Sequence, residues 1–365
     1  MIVYLITAFT IFILTYFAQS KDCYSEKLTS SGKVIHTSGA KLFIILTCAI
    51  LVFVAGFRYY VGTDYGGYYK MFNQNTDDLF VKLRTFDEPG YSFLCAISRL
   101  FGATDGGLAI FLASAVTITL VVFSLVRNTD EIQYALLLYV FMGGWSGSFN
   151  AVRQSLAAAF LFAGFPFLRD KKLFKFLLFV FMAFLCHRSA ILMVLLCFLA
   201  HRKINLLNIV IMLLCVIILL GSYNFLFDIA GNVLDKKYDM TNTYNTTSVN
   251  VFRILVGVAP AFYFGFSLRS KEKTEIEEFF LNLLMIHAMV NVITLNSAYL
   301  ARVSIYTAPF VVISISELSK TINIKYRKVT MVGIIFLYFI FWLYQLYSSD
   351  SLRDFTFIWQ APKLV

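Results

Sequence analysis

Charge is scarce in this sequence: 14% of its 365 residues are Asp, Glu, Lys or Arg, against about 25% in soluble domains. An ordinary soluble protein is excluded. Proline is scarcer still, with five in the chain, so most helices run without a kink. Cysteine occurs six times but without pattern, since Cys48, Cys95, Cys186, Cys197 and Cys215 lie in apolar runs, Cys23 in a polar stretch, and no C-x-x-C spacing is found. A disulfide framework and a zinc site drop out. There is no internal repeat, no low-complexity tract and no linker, so residues 1–365 read as a single membrane domain.

What is abundant is apolar surface, at 59% of residues with a mean hydropathy of +0.75, including 39 Phe and 21 Tyr. Such a chain belongs in lipid. A bilayer core of about 30 Å needs roughly 17 to 25 helical residues, and apolar windows fall at 2–18, 41–57, 107–126, 132–149, 154–168, 204–221, 250–268, 279–296, 302–319 and 329–347. The run from Leu173 to Ala200 is too long for one untilted helix and is broken at His187-Arg188-Ser189, which predicts a hairpin of two short spans. The expected fold is therefore an all-α polytopic integral membrane protein of about 12 transmembrane helices, with residues 88–102 as a short re-entrant or surface helix on the outer face. Residues 58–106 and 222–249 are the outer loops.

Orientation follows from the basic residues, because Lys and Arg collect on the cytoplasmic side. Both chain ends are expected outside, the first apolar run lacking the basic start of a secretory signal. Loops at 19–40, 127–131, 169–172, 201–203, 269–278 and 320–328 then face the cytoplasm, and with their flanks they hold 13 of the 18 lysines. The net charge of +10 is thus a matter of topology and not of nucleic-acid binding.

Arginine is sorted differently: Arg58, Arg84, Arg99, Arg153, Arg188, Arg253, Arg302 and Arg353, 8 of 13, fall on the outer side. Four of them, Arg153, Arg188, Arg253 and Arg302, sit at the outer start of a helix running inward, where the macrodipole already presents partial positive charge. Snorkelling to lipid phosphates accounts for any one of them. Four equivalent ones, with Arg58 nearby, suit the oxygens of a shared phosphate or diphosphate ligand.

Three further constellations stand out. Residues Phe57 to Tyr69 pack Arg58, Asp64, five tyrosines including Tyr65 and Tyr68, and three glycines into the membrane surface. An interfacial aromatic belt explains tyrosines but not Asp64; aromatic faces beside a carboxylate also suit a carbohydrate. Asp87-Glu88-Pro89-Gly90-Tyr91 reads either as a helix cap or as a pair of functional carboxylates. His187, at the hairpin tip, is either a structural group or a proton carrier.

Taken in order, Arg58-Tyr59-Tyr60-Val61-Gly62-Thr63-Asp64-Tyr65, Glu88-Pro89-Gly90-Tyr91, Arg153-Gln154-Ser155-Leu156-Ala157 and His187-Arg188-Ser189-Ala190 resemble the EpsG family, which belongs with the Wzy-type polymerases of O-antigens, capsules and exopolysaccharides. The likeness covers roughly residues 40 to 310, with Arg188 a departure from the expected pattern. It implies a glycosyltransferase of the bacterial inner membrane, with its site facing the periplasm or exterior. Such an enzyme moves a polyprenyl-diphosphate-linked glycan onto a lipid-linked repeat unit, alongside a flippase and a chain-length regulator. On this reading Asp64, Glu88 or His187 accepts the hydroxyl proton, in that order of preference, while Arg58, Tyr65, Tyr68, Arg153, Gln154, Arg253 and Arg302 bind substrate. No cofactor or metal is called for, and no D-x-D pair of the soluble sugar-nucleotide transferases is present.

The rival readings are a membrane transporter or flippase of an anionic or sugar substrate and an O-antigen ligase-like transferase. A transporter places its sites near the midplane on broken helices and shows inverted repeats, whereas here the charges gather at the outer helix ends. A ligase shares the arginine logic and is separated only by the family likeness.

Overall fold

A helix in lipid reverses the soluble pattern, hiding a stripe of small or polar side chains and turning large apolar ones outward. Helix α1 (Ile2–Gln19) does so: Tyr4, Thr7, Ala8, Ile11, Thr15 and Ala18 are buried while Phe9, Phe12 and Tyr16 are exposed. The computed structural model describes residues 1–20, 37–74, 79–85, 87–221, 250–295 and 300–361. Among these it is 81% helical and without strands.

The chain continues through α2 (Ser38–Gly56), the short surface helices α3 (Tyr65–Gln74) and α4 (Leu79–Thr85), α5 (Pro89–Leu100) and α6 (Gly107–Asn128). Then come α7 (Ile132–Phe141), α8 (Gly144–Gly147), α9 (Val152–Ala163), α10 (Phe165–Arg169) and α11 (Leu173–Cys186). A 3₁₀ helix (Arg188–Leu195) and α12 (Leu196–Leu199) lead to α13 (Leu206–Gly221). The last part comprises α14 (Val251–Ser267), α15 (Glu275–Ile293), α16 (Ser304–Leu318), α17 (Ile324–Ser348) and α18 (Asp350–Arg353).

Six of these stretches are long and apolar enough to cross a bilayer: α1, α2, α6, α15, the continuous stretch Leu300–Thr321 and α17. Six other apolar helices, among them α7, α9, α11 and α14, have only 10–17 residues, at or below the roughly 17 residues that a full crossing needs. Length and composition therefore support a polytopic membrane protein. They support a full crossing at only six of the expected windows.

The shortening has visible causes. The window 132–149 is cut because Gly143 takes a left-handed φ of 81°, and α8 then starts in a new direction. The window 154–168 is divided at Gly164 into α9 and α10, with Pro166 in the first turn of α10; a Cβ on Gly164 would lie 2.8 Å from that of Phe179. α15 instead starts earlier than its window, at Glu275, because Thr274 and Glu277 close a capping box.

Contacts among the described loops fall into two groups. In one, Gln19 donates to the Asp130 carbonyl (2.9 Å), Lys171 pairs with Glu275 (2.8 Å), His201 meets the Leu168 carbonyl (2.7 Å) and Arg327 pairs with Glu131. These are the loops that the lysine count places together. In the other group the amino terminus donates to the Arg353 carbonyl (2.9 Å), Thr63 N–H to Asn150 (2.7 Å), and Tyr59 N–H to the Thr356 carbonyl (2.8 Å). The bundle thus has two distinct ends, and every arginine singled out above as starting an inward helix lies at the second.

The segments before and after α5 lie at that second end. Glu88 before it meets the hairpin tip, and Gly106 just beyond it abuts the Tyr69 backbone, where a Cβ would lie 2.8 Å away. A helix of 12 residues that returns to its own side does not cross.

Candidate functional site

The hairpin tip is built by one glycine. A Cβ on Gly90 would lie 2.8 Å from Cys186 Sγ and 2.9 Å from its Cα, so only glycine lets the start of α5 press on the end of α11. That contact delivers Glu88 to His187. Glu88 precedes α5 with a left-handed φ of 49°, unusual for a side chain with a Cβ. Its carboxylate makes no capping hydrogen bond. It is 7% exposed and pairs instead with the Arg153 guanidinium, accepts the Arg188 amide N–H (3.1 Å), and lies 2.6 Å from His187 Nδ1. Arg188 reaches Asp87 at 3.1 Å. Burial alone would push the Glu88 carboxyl up; His187 first, then Arg153 and the Arg188 amide, overturn this and hold it at about 2.

Arg58 is placed differently. It is 1% exposed, and its guanidinium donates to the Ala55 carbonyl, to Ser114 Oγ (2.9 Å) and to the Phe149 carbonyl (3.4 Å), with the Phe149 ring 4.8 Å away. This arginine ties α2, α6 and the segment after α8 together. Tyr65 is buried over it (5.8 Å), and Tyr68 accepts the Arg153 N–H (3.4 Å). Asp64 Oδ2 accepts the N–H of Ala151, itself left-handed at φ 42°, at 2.9 Å, and Oδ1 accepts from Thr63 at 3.3 Å. Gln154 is buried with its Oε1 lacking a partner among the described residues.

Beside this cluster lies a cavity of about 560 Å³, within the range of small-ligand sites. It opens among Thr63, Asn150, Asn250 and Ser349 at the second end and descends between α6, α7, α9, α14, α15, α16 and α17. Gly257 makes it possible: a Cβ there would stand 3.0 Å from Asn291, so α14 and α15 meet closely enough to bring Arg253 and Asn291 onto one wall. Arg302 joins from the turn before α16. The two guanidinium charges oppose each other across a wall that, among the described residues, carries His287 but no Asp or Glu. Among the described residues neither arginine forms an ion pair.

The structure therefore splits the expected site in two. Glu88, His187, Arg153 and Arg188 come together, as do Arg253 and Arg302, while Asp64 touches Ala151 on the cavity rim. Neither Glu88, His187, Arg153, Gln154, Arg58, Tyr65 nor Tyr68 is on the cavity wall. His287 and Asn291 were missed from the sequence, although two polar residues four apart inside an apolar helix are the signal that would have found them. No group of three His, Cys, Asp or Glu side chains among the described residues is arranged to hold a metal ion.

Compared with known proteins, residues 41–358 match the model of the EpsG family. No curated protein and no solved structure matches the chain.

Proposed function

The chain belongs to the EpsG family, a family of Wzy-like polysaccharide polymerases, and from that membership we propose that its cavity binds the diphosphate of a polyprenyl-linked glycan during chain growth. One observation carries the reading: among the described residues, two arginines and no carboxylate line a cavity of about 560 Å³. Cations gathered in a low-dielectric pocket without a protein counterion repel one another until an anion enters. Guanidinium forks match phosphate oxygens, and charge develops on those oxygens as the glycosidic bond breaks. Arg253 and Arg302 are thus the diphosphate ligands, and Asp64, with Thr63 and Asn150, sits where sugar hydroxyls pass the rim. Arg58, Glu88, Arg153 and His187 hold the outer end in shape. The substrates are lipid-linked repeat units destined for an O-antigen, capsule or exopolysaccharide.

The test uses repeat-unit lipids extracted from cells that lack this gene. Purified protein in liposomes should convert them to a ladder of longer chains and release one polyprenyl diphosphate per linkage. Movement of the lipid across the bilayer without any ladder would replace the polymerase reading by transport.

The orientation proposed is cavity mouth outward, at the inner membrane, supported by the 13 of 18 lysines assigned to the opposite end. Gly67 has nothing within 4 Å of its would-be Cβ, and Ser270 is exposed in the loop before α15. In a cysteine-free background, Gly67→Cys should react with an impermeant thiol reagent on intact spheroplasts and Ser270→Cys only after lysis. The reverse pattern would invert the topology.

A further inference from the structure

His287 stands about 9 Å below the mouth-side end of α15, counting 1.5 Å per residue to Ile293. It is 6% exposed, and a polar ring buried at that depth is either satisfied or functional. One of its nitrogens is satisfied, since Nδ1 lies 2.6 Å from Thr307 Oγ on α16. The Thr307 hydroxyl is also placed to donate to the Ser304 carbonyl at 3.1 Å, and in that rotamer its oxygen accepts from the ring. The ring proton is then on Nδ1, and Nε2 keeps a lone pair. With Nδ1 turned to α16, Nε2 lies on the other edge of a ring that lines the cavity.

Around it stand Arg253 from α14, Arg302 from the turn before α16, the hydroxyl of Tyr139 from α7, and Tyr338 from α17, which donates to the Val256 carbonyl at 3.2 Å. The Tyr139 hydroxyl is buried without a partner among the described residues, so this wall offers both a donor and an acceptor to a hydroxylated ligand. Among the described residues no carboxylate on the wall competes for the proton.

Resting on the diphosphate reading of the cavity, we infer that His287 is a catalytic residue whose Nε2 takes the proton of the acceptor sugar hydroxyl. The hydroxyl oxygen forms its bond to the anomeric carbon of the donor as the bond from that carbon to the diphosphate oxygen breaks. The electron pair of the broken bond leaves on the diphosphate beside Arg253 and Arg302. The proton held on Nε2 then passes to the departing diphosphate, which restores the neutral ring. Thr307 is the positioning residue, fixing which nitrogen faces the substrate.

The experiment compares wild type, His287→Gln and Thr307→Val in liposomes supplied with repeat-unit lipids from gene-deficient cells. Turnover is read as ladder formation and binding as retention of radiolabelled polyprenyl diphosphate. General base catalysis is worth about 10²–10⁴-fold, so His287→Gln should lose about that much turnover and the acidic limb of the pH profile while retaining the label. Thr307→Val should shift that limb with wild-type binding. Wild-type turnover and pH profile in His287→Gln overturn the inference and leave the diphosphate reading standing; failure of the wild type to retain the label overturns that reading first. Should His287→Gln fail to fold and retain nothing, Thr307→Val decides, and an unshifted pH profile in that variant counts against His287.

Discussion

The double variant Arg253→Gln, Arg302→Gln is expected to retain almost no labelled polyprenyl diphosphate and to give no polymer ladder. Each guanidinium offers charge-assisted hydrogen bonds worth about 1.5–3 kcal/mol apiece. Counting one such bond per guanidinium as the net loss, one arginine fewer weakens binding by roughly 10- to 150-fold, at about 1.4 kcal/mol per tenfold, and losing both weakens it by about 10²–10⁴-fold. Arg253→Lys and Arg302→Lys should fall between, because an ammonium keeps the charge but cannot bridge two oxygens. Among the described residues the cavity wall holds no acidic side chain, so removing the arginines leaves no buried anion exposed there and the fold should survive. Thermal unfolding close to wild type, together with lost retention, is the pattern required. Undiminished retention by the double variant would show that the diphosphate sits elsewhere, and the Arg153 cluster would be the next place to look.

The second large effect concerns stability. Glu88→Gln should lower the melting temperature in detergent by about 5 °C or more at pH 7, because it leaves Arg153 and the Arg188 amide facing a neutral amide at a nearly closed site. The pH dependence gives an independent reading. Glu88 is held at about 2 in the folded chain, below its ordinary 4.5, so its contribution is fully present above about 4.5 and is lost as pH falls towards 2. A shift of that size corresponds to about 3 kcal/mol, at roughly 1.4 kcal/mol per unit. Wild type should therefore lose stability steeply between pH 4.5 and 2.5, and Glu88→Gln should be flatter over the same interval. Parallel curves for the two chains would mean that the cluster stabilises little.

These two predictions fall on opposite sides of one helix, and this separation was not legible in the sequence. Arg153 and Arg253 look alike as residues, each at the start of a helix running away from the same end. Their difference lies in what the neighbouring elements bring: Gly90 lets α5 deliver a carboxylate to Arg153, whereas Gly257 draws α14 against Asn291, on a wall whose other charge among the described residues is the cation Arg302. Arg58 and Asp64 show the same effect. Both resemble exposed ligand groups in the sequence, yet Arg58 is enclosed by main-chain carbonyls and Asp64 anchors the Ala151 amide. Glu88 moved the other way, since a residue before proline at a helix start suggests a cap, and its side chain makes no cap.

The apolar windows, the grouping of loops at two ends, the break at His187 and the family likeness were all determined by the sequence alone, because hydropathy, lysine placement and short motifs are local properties that need no partner. Tertiary structure decided where helices break: the backbone turns left-handed at Gly143, and at Gly164, where α9 gives way to α10, Phe179 stands too close for a Cβ. It also decided which cations are neutralised within the chain and which face an empty wall. That outcome depends on contacts between residues separated by 65 positions, as for Glu88 and Arg153, and no periodicity records a contact at that distance. His287 is the clearest case: its place in an apolar helix could be read from the sequence, but only the packing of α16 against α15 puts Thr307 on one nitrogen of a ring that lines the cavity.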